Sequence, residues 1–236
     1  MKVLVIPDVH LKPVLFVRAA ELLEKGEAER AVCLMDIADD WDCMFNLDLY
    51  FRTFDRAAAF ARAFPDTLWC WGNHDISYVW GKLESGYSPY AESRVITKLE
   101  QLRANLKDER NLAFVHRIDN VLFSHGGVLE DYVVSRFAEE DMGDADFVTE
   151  IINSYGERAL WRDDSPLWAR PQFTGEHLYG EGRLLQVVGH TPMKAITQTG
   201  SLISCDVFST GRDGTPYGSG EYLLLDTETW EWKGIK

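Results

Sequence analysis

Five apolar runs in this sequence end in side chains that can bind a metal ion or transfer a proton. The clearest run, residues 67–71, is rich in aromatics and breaks at Gly72 before Asn73, His74 and Asp75. Polar side chains at the end of a buried strand are costly unless they are paired or bound to something. Ligands of open α/β sheets bind at the carboxyl ends of the strands, so these ends predict one shared metal site. The other four runs end at Asp8 and His10, at Asp36, at His125 and at His190.

The order of the predicted elements indicates an α/β sandwich. Strands at 2–7, 30–35 and 67–71 alternate with amphipathic helices at 13–26 and 47–64, an order that produces a parallel sheet. Residues 76–106 are predicted to be mostly helical. Later strands favour antiparallel pairing, with a hairpin at 112–118 and 121–124, then strands at 184–188, 195–199, 202–206 and 222–226. We expect one domain over 1–236, with an acidic helical segment around 130–170 that caps the cleft.

Composition narrows the class of protein. The chain of 236 residues carries a net charge of −14, which argues against general binding to nucleic acid or anionic membranes, because both need a basic surface. No apolar run approaches membrane-spanning length, and the first ends in charge too early for a signal peptide. The four cysteines lack CxxC spacing, so we expect reduced thiols. These features predict a cytoplasmic protein.

The donor types at the strand ends predict the metal chemistry. Mixed carboxylate, amide and imidazole donors suit Mn²⁺, Fe or Zn²⁺ better than Mg²⁺ or Ca²⁺ alone. The donors exceed the needs of one catalytic ion, and Asp36, on a central strand, is the natural bridge between two. Paired ions held ~3.5–4 Å apart clamp the attacking and leaving oxygens of an in-line displacement. The sequence therefore predicts phosphoester hydrolysis, with Mn²⁺ as the favoured metal.

These segments resemble the motifs of the calcineurin-like metallophosphoesterases, and they follow that family's order along the chain. The matching segments are Asp8-Val9-His10, Asp36-Ile37-Ala38-Asp39, Gly72-Asn73-His74-Asp75, Ser124-His125-Gly126-Gly127 and Gly189-His190-Thr191-Pro192. The resemblance implies a four-layer αββα sandwich of two mixed β-sheets. It implies a first metal ion held by Asp8, His10 and Asp36, and a second held by Asp36, Asn73, His125 and His190.

The resemblance also implies roles in catalysis. Hydroxide between the two metal ions would attack phosphorus, and His74, oriented by Asp39, would be the general acid. Related diesterases carry a second histidine where this chain has Pro192, which makes the chain more similar to bacterial and phage phosphoprotein phosphatases. The segment Leu167-Trp168-Ala169-Arg170 resembles one whose arginine holds the substrate phosphate. Arg170, with Asn73, is therefore the expected phosphate-binding pair.

The chain departs from that branch at four positions. Asp40 stands where the second motif normally has a phosphate-binding arginine, which puts protein substrates in question but leaves the metal chemistry intact. Leu11 and Met35 replace two usual glycines, and Asp75 replaces a usual glutamate. We expect the Asp40 carboxylate to be solvated.

Several alternatives stay open at this stage. Asp39 could be a helix cap, and Arg162 is the fallback if Arg170 lies on the surface. His116 and His177 fall outside the pattern and are expected in the core or at the surface. The rival substrates are bis-nucleoside tetraphosphates or nucleotides. A metal-free scaffold that binds protein partners is a further alternative, and retention of every expected metal ligand argues against it.

Overall fold

The computed structural model describes all 236 residues and contains thirteen strands, eight α-helices and one short 3₁₀-helix, Glu109–Asn111. The strands are β1 Lys2–Ile6, β2 Arg30–Cys33, β3 Leu68–Cys70, β4 Leu112–Ala113, β5 Val115–Ile118, β6 Val121–Ser124, β7 Leu185–Val188, β8 Thr197–Thr199, β9 Leu202–Ser204, β10 Ser209–Thr210, β11 Pro216–Tyr217, β12 Tyr222–Asp226 and β13 Trp232–Ile235. The helices are α1 Val14–Glu24, α2 Leu47–Ala63, α3 Asn73–Trp80, α4 Glu92–Ala104, α5 Glu130–Val134, α6 Ala145–Ser154, α7 Glu157–Leu160 and α8 Pro171–Thr174. None of these helices combines the length and apolar character needed to cross a membrane.

The strands form two mixed sheets and a short β10–β11 hairpin. The first sheet has the order β13-β12-β1-β2-β3-β4, with β1 to β4 parallel and β12 and β13 antiparallel. The second has the order β5-β6-β7-β9-β8, with β6, β7 and β9 parallel and the outer strands antiparallel. The carboxyl ends of the central strands therefore meet at one edge of each sheet, which is where ligands bind in such folds.

Alternating side chains of the strands build the layers. On β1, Val3 and Val5 face a core cluster shared with Phe123 and Val187 of the second sheet. Their neighbours, including Leu4, face the opposite way and pack against helices α1, α2 and α4. Because successive residues of a strand point to opposite faces, each sheet is buried on both sides. The fold is the four-layer αββα sandwich that the resemblance implied.

The chain passes from one sheet to the other within residues 112–118, which the sequence predicted to be one strand. β4 pairs with β3 in the first sheet, whereas β5 pairs with β6 in the second. At the crossing, Oδ1 of Asn153 accepts hydrogen bonds from the backbone N–H groups of Phe114 and Val115, both 2.9 Å. This amide replaces the ladder partners that are lost where the strand changes sheets.

The segment that we expected to cap the cleft lies mainly on the outer face of the second sheet. Tyr132, Val148 and Leu160, from α5 to α7, are buried in one cluster with Leu122 of β6. Their apolar side chains form one continuous core with the strand, so these helices pack on the sheet. From this segment, Trp168 and the neighbouring Arg170 line the cleft.

Candidate metal centre

The strand ends bring the predicted donors together in one cleft. Asp8 follows β1, Asp36 follows β2, Asn73 opens α3, His125 follows β6 and His190 follows β7. Each of these five side chains is buried, and His10 is half-buried. Buried polar groups need partners, so their shared position points to a common ligand.

Two donor groups share one carboxylate. The ligand atoms of Asp8, His10 and Asp36 lie within 4.8 Å of one another, and so do those of Asp36, His125 and His190. Asn73 joins the second group, because its Oδ1 lies 2.9 Å from Nε2 of His125. The two groups contain the same residues that the resemblance assigned to the two metal ions.

Backbone carbonyls orient two of the imidazoles. Nδ1 of His10 donates to the carbonyl oxygen of Asp39, and Nδ1 of His125 donates to that of Leu34, both at 3.0 Å. A proton on Nδ1 leaves the lone pair of Nε2 free, which is how metal-bound histidines are usually held. Nε2 of His125 then faces Oδ2 of Asp36 at 3.1 Å. Two acceptors at that distance repel each other unless a proton or a cation lies between them.

Unpaired atoms and close packing complete the match to a cation. Oδ1 of Asp8 and Nε2 of His190 are buried without a hydrogen-bond partner. A Cβ at Gly72 would collide with the Asp36 carboxylate, and one at Gly189 with the Asp8 carboxylate. The two glycines therefore allow the backbone to approach the carboxylates closely. The residues present fit a pair of divalent cations.

His74 lies beside the donor groups but belongs to neither. Its Nδ1 is 3.1 Å from Oδ2 of Asp39, whose side chain is 1% exposed. Oδ1 of the same carboxylate accepts from the hydroxyls of Tyr50 and Tyr78, both 2.6 Å. Asp39 is thus fixed from three sides and does not cap a helix. The arrangement leaves Nε2 of His74 without an assigned hydrogen-bond partner in the cleft.

Carboxylates and burial compete for the histidine charges. Burial lowers the pKa of His74, but Asp36 and Asp39 outweigh it and raise that pKa to about 9. For His125, burial is likewise outweighed by Asp36 and Asp8, and the pKa rises to about 8. Burial dominates at His190, whose pKa falls well below the usual value. The carboxylates thus attract positive charge to the site, as they would attract metal cations.

The backbone around the donors is strained. His10, Leu11, Met35, Asp36 and Asp39 all have positive φ, between 41° and 62°. A left-handed conformation costs an ordinary L-residue about 1–2 kcal/mol. Leu11, at 56°, and Met35, at 59°, are the two residues that replace family glycines, so this chain keeps the turns without the residue that suits them.

Several hydrogen bonds hold this strained backbone in place. The buried Asp75 carboxylate accepts from the N–H groups of Ile37 and Ala38 at 3.0 Å. The N–H of His10 donates to the carbonyl of Asp36 at 2.7 Å. Asp75 replaces a usual glutamate, and here it ties the third donor segment to the second. Strain of this kind persists where surrounding contacts over-determine the geometry.

Arg170 lines the cleft, whereas the fallback Arg162 does not. Nη1 of Arg170 donates to the carbonyl of His190 at 2.8 Å and to Oγ1 of Thr191 at 3.1 Å. Arg162 is an exposed residue that pairs with Asp164. The remaining guanidinium donors of Arg170 are available to an anion in the cleft.

The prediction that Asp40 is solvated was wrong. Its carboxylate is 14% exposed and lies 3.0 Å from Nζ of Lys12, and it accepts from Oγ1 of Thr210 at 2.9 Å. Lys12 also donates to the carbonyl of His10 at 3.1 Å. The charge that replaces the family arginine is therefore neutralised at the cleft edge. Its partner Thr210 lies 170 residues away in sequence, beyond the reach of local patterns.

Sequence reasoning missed three residues of the site. Tyr50 and Tyr78 hold Asp39, but a buried tyrosine on a helix gives no sequence signal of its own. Asp206 lines the cleft and is buried. It follows an apolar strand, as the other donors do, and that pattern could have identified it. His116 is buried, and Nε2 donates to the carbonyl of Trp69 at 3.0 Å, whereas His177 is exposed.

The fold and the donor groups together define a hydrolase site of the metal-dependent type. The sequence profile of the family described as calcineurin-like phosphoesterase matches residues 1–220, and the chain belongs to that family. The protein is accordingly a phosphoric ester hydrolase. A comparison with curated protein sequences finds no match.

The solved structures that share the fold include two phosphatases. One is a cold-active protein-tyrosine phosphatase of the psychrophile Shewanella sp., with a TM-score of 0.58, 17% identity, and coverage of 100% of this chain and 80% of that one. The other is a protein serine/threonine phosphatase from Saccharomyces cerevisiae with similarity to human phosphatase PP5. Its TM-score is 0.53 at 15% identity, with coverage of 95% and 72%.

Proposed function

We propose that this protein is a phosphomonoesterase of the phosphoprotein-phosphatase type that works with two divalent metal ions, Mn²⁺ being the favoured metal. The observation that carries the proposal is the pair of donor groups sharing Asp36, with His74 beside them and outside both. One ion does not need two donor groups, and a proton donor next to them completes the set required for ester cleavage. A cytoplasmic location stays a prediction.

The protein residues would divide the work as follows. Bound divalent cations supply Lewis acidity and lower the pKa of water at the site. The guanidinium of Arg170 would bind the phosphate oxygens, as charge-assisted donors do. As the bond between phosphorus and the leaving oxygen breaks, the proton on Nε2 of His74 would move to that oxygen. Asp39 accepts from Nδ1 and would stabilise the charged imidazole before the transfer.

The charge at the cleft favours a monoester over a polyphosphate. Asp40 and Glu84 line the cleft with Arg170, and Lys12 already neutralises Asp40. A bis-nucleoside tetraphosphate brings several negative charges, which one guanidinium and two cations would have to hold against Glu84. A single phosphate brings fewer negative charges to be neutralised. The two fold neighbours are both protein phosphatases, which makes phosphopeptides the first substrates to test.

A panel of substrates tests the proposal. The protein is loaded with Mn²⁺ and assayed with p-nitrophenyl phosphate, its bis-ester, a phosphoserine peptide, a phosphotyrosine peptide and a diadenosine polyphosphate. We expect kcat/KM to be higher for the monoesters and phosphopeptides than for the bis-ester and the polyphosphate. Preference for the diadenosine compound would establish the nucleotide alternative instead.

Metal analysis of matched variants tests the shared carboxylate. Asp36→Asn should weaken both metal sites and abolish turnover, because Asp36 belongs to both donor groups. His190→Ala should weaken the second site and leave the first occupied. A wild-type protein that is fully active with one tightly bound ion would contradict the dinuclear proposal. A wild type that binds no metal would support the scaffold alternative.

A further inference from the structure

Asp206 is a buried carboxylate of the cleft to which no role has been assigned. It lies just beyond β9 and is 1% exposed. Oδ1 accepts a hydrogen bond from Oγ of Ser209 at 2.7 Å, whereas Oδ2 is buried and has no partner. An ionised oxygen without a partner in the interior costs several kcal/mol. The free oxygen therefore needs a proton donor or a cation.

The neighbours of Asp206 belong to the first metal site. Asp206 lines the same cleft as His10 and Asp36. Burial raises the pKa of Asp206, and the positive charge of His10 lowers it. Asp36 and Asp206 thus place two carboxylates in one cleft with His10, and a cation held by Asp8, His10 and Asp36 would reduce the repulsion between these negative charges.

The loop that holds Asp206 is hydrogen-bonded to the segment that follows His190. The N–H of Met193 donates to the carbonyl of Asp206 at 2.7 Å, so Pro192 lies directly beside it. Pro192 stands where related diesterases have a second histidine, and that donor is absent from this chain. The carboxylate of Asp206 places an acceptor in the cleft that Pro192 also lines.

We propose that Asp206 is a positioning carboxylate of the first metal site, whose free Oδ2 accepts a hydrogen bond from the hydration shell of the cation held by Asp8, His10 and Asp36. The role is indirect, because Asp206 is not among the side chains whose ligand atoms lie within 4.8 Å of one another. The inference rests on the proposed two-metal centre. Partners of this indirect kind typically contribute about 10–100-fold to metal affinity.

The test measures metal binding without substrate. Mn²⁺ is titrated calorimetrically into metal-free wild type, Asp206→Asn and Ser209→Ala. Asp206→Asn keeps the shape and can still accept from Ser209, but it loses the charge. Ser209→Ala removes the neighbouring hydrogen bond and keeps the charge. We expect Asp206→Asn to weaken one of the two binding steps by about 10–100-fold and to leave the other unchanged, while Ser209→Ala changes neither step by as much.

The melting temperature of the metal-free protein separates this role from a structural one. Without cations the Asp206 charge is unfavourable, so Asp206→Asn should melt at the same temperature as wild type or higher, and should gain less on adding Mn²⁺. Equal Mn²⁺ affinities in Asp206→Asn and wild type would overturn the inference. So would an equal loss of affinity in Ser209→Ala, because the effect would then come from local packing. A wild type that binds two ions keeps the proposed function intact in either case.

Discussion

The sharpest test of the chemistry is replacement of His74 by asparagine. His74 contributes to neither donor group, so His74→Asn should retain both metal ions. A positioned general acid typically contributes about 10²–10⁴-fold in rate, which is about 3–5 kcal/mol of barrier. The imidazole is held by a carboxylate that has two further donors at 2.6 Å, so its position is well defined. We therefore expect a loss of about 10³-fold in kcat where the proton is needed.

The size of the loss should depend on the leaving group. The alkoxide of serine leaves poorly without a proton, whereas nitrophenolate leaves readily unaided. In His74→Asn, kcat should therefore fall by about 10³-fold on a phosphoserine peptide and by less than about tenfold on p-nitrophenyl phosphate. Asp39→Asn should show the same selectivity in a milder form, because it acts through Nδ1 of His74.

Ser77→Ala provides the matched control. Oγ of Ser77 donates to the backbone carbonyl of His74 at 2.7 Å and leaves the imidazole untouched. This variant should show no difference between the two substrates. The reasoning is refuted if His74→Asn loses equal rates on both substrates, or if it loses a metal ion, since His74 would then be a ligand or a structural residue.

Three further predictions concern the cleft and the core. Arg170→Ala should raise KM and lower kcat/KM by about 10–100-fold through loss of a charged hydrogen bond, whereas Arg162→Ala should be silent; the reverse result in steady-state kinetics would assign the phosphate to the other loop. Leu11→Gly should be more stable than Leu11→Ala by roughly 0.5–1 kcal/mol in urea unfolding, because glycine relieves the positive φ, although both variants lose a buried leucine. At Leu15, inside α1, the alanine variant should instead be the more stable of the two. If the alanine variant is the more stable at both positions, the backbone at Leu11 is unstrained. Burial lowers the pKa of His116 from its ordinary value of 6.5 to about 4. Protonation of the unfolded chain should therefore destabilise the metal-free protein by up to about 3 kcal/mol as the pH falls from 6.5 to 4. His116→Gln should flatten this part of the stability–pH profile, and an unchanged slope would refute the assignment.

The sequence predicted those parts of the fold that repeat a local pattern. Apolar runs ending in Asp, Asn or His identified the central strands, because a strand that is buried on both faces and has a polar carboxyl end appears in the sequence as a continuous apolar run followed by a polar residue. β13, with the residues Trp-Lys-Gly-Ile, carries no such run and is half exposed, so it could be found only by its pairing with β12. The strand change at Phe114 depends on Asn153, which no pattern within residues 112–118 reveals.

For the site, the sequence predicted the side chains that directly follow strands and missed those contributed by helices. The hydroxyls of Tyr50 and Tyr78 meet at Asp39 because the core fixes the rotation of α2 and α3, and periodicity does not specify such a point. Asp40 differs because its partner Thr210 belongs to the β10–β11 hairpin. Contacts across that sequence separation depend on the whole fold, whereas the donor positions depend on strand ends alone.

The strand change between β4 and β5 has a mechanical consequence. Asp8 and Asp36 lie at the end of the first sheet, whereas His125 and His190 lie at the end of the second. Sliding of one sheet over the other would separate the donors of the two sheets. The chain itself resists this sliding at Phe114, which Asn153 holds where β4 pairs with β3. Cations bound at Asp36 would then be a second link between the same two sheets, so metal loading should make the whole sandwich more rigid and not the cleft alone.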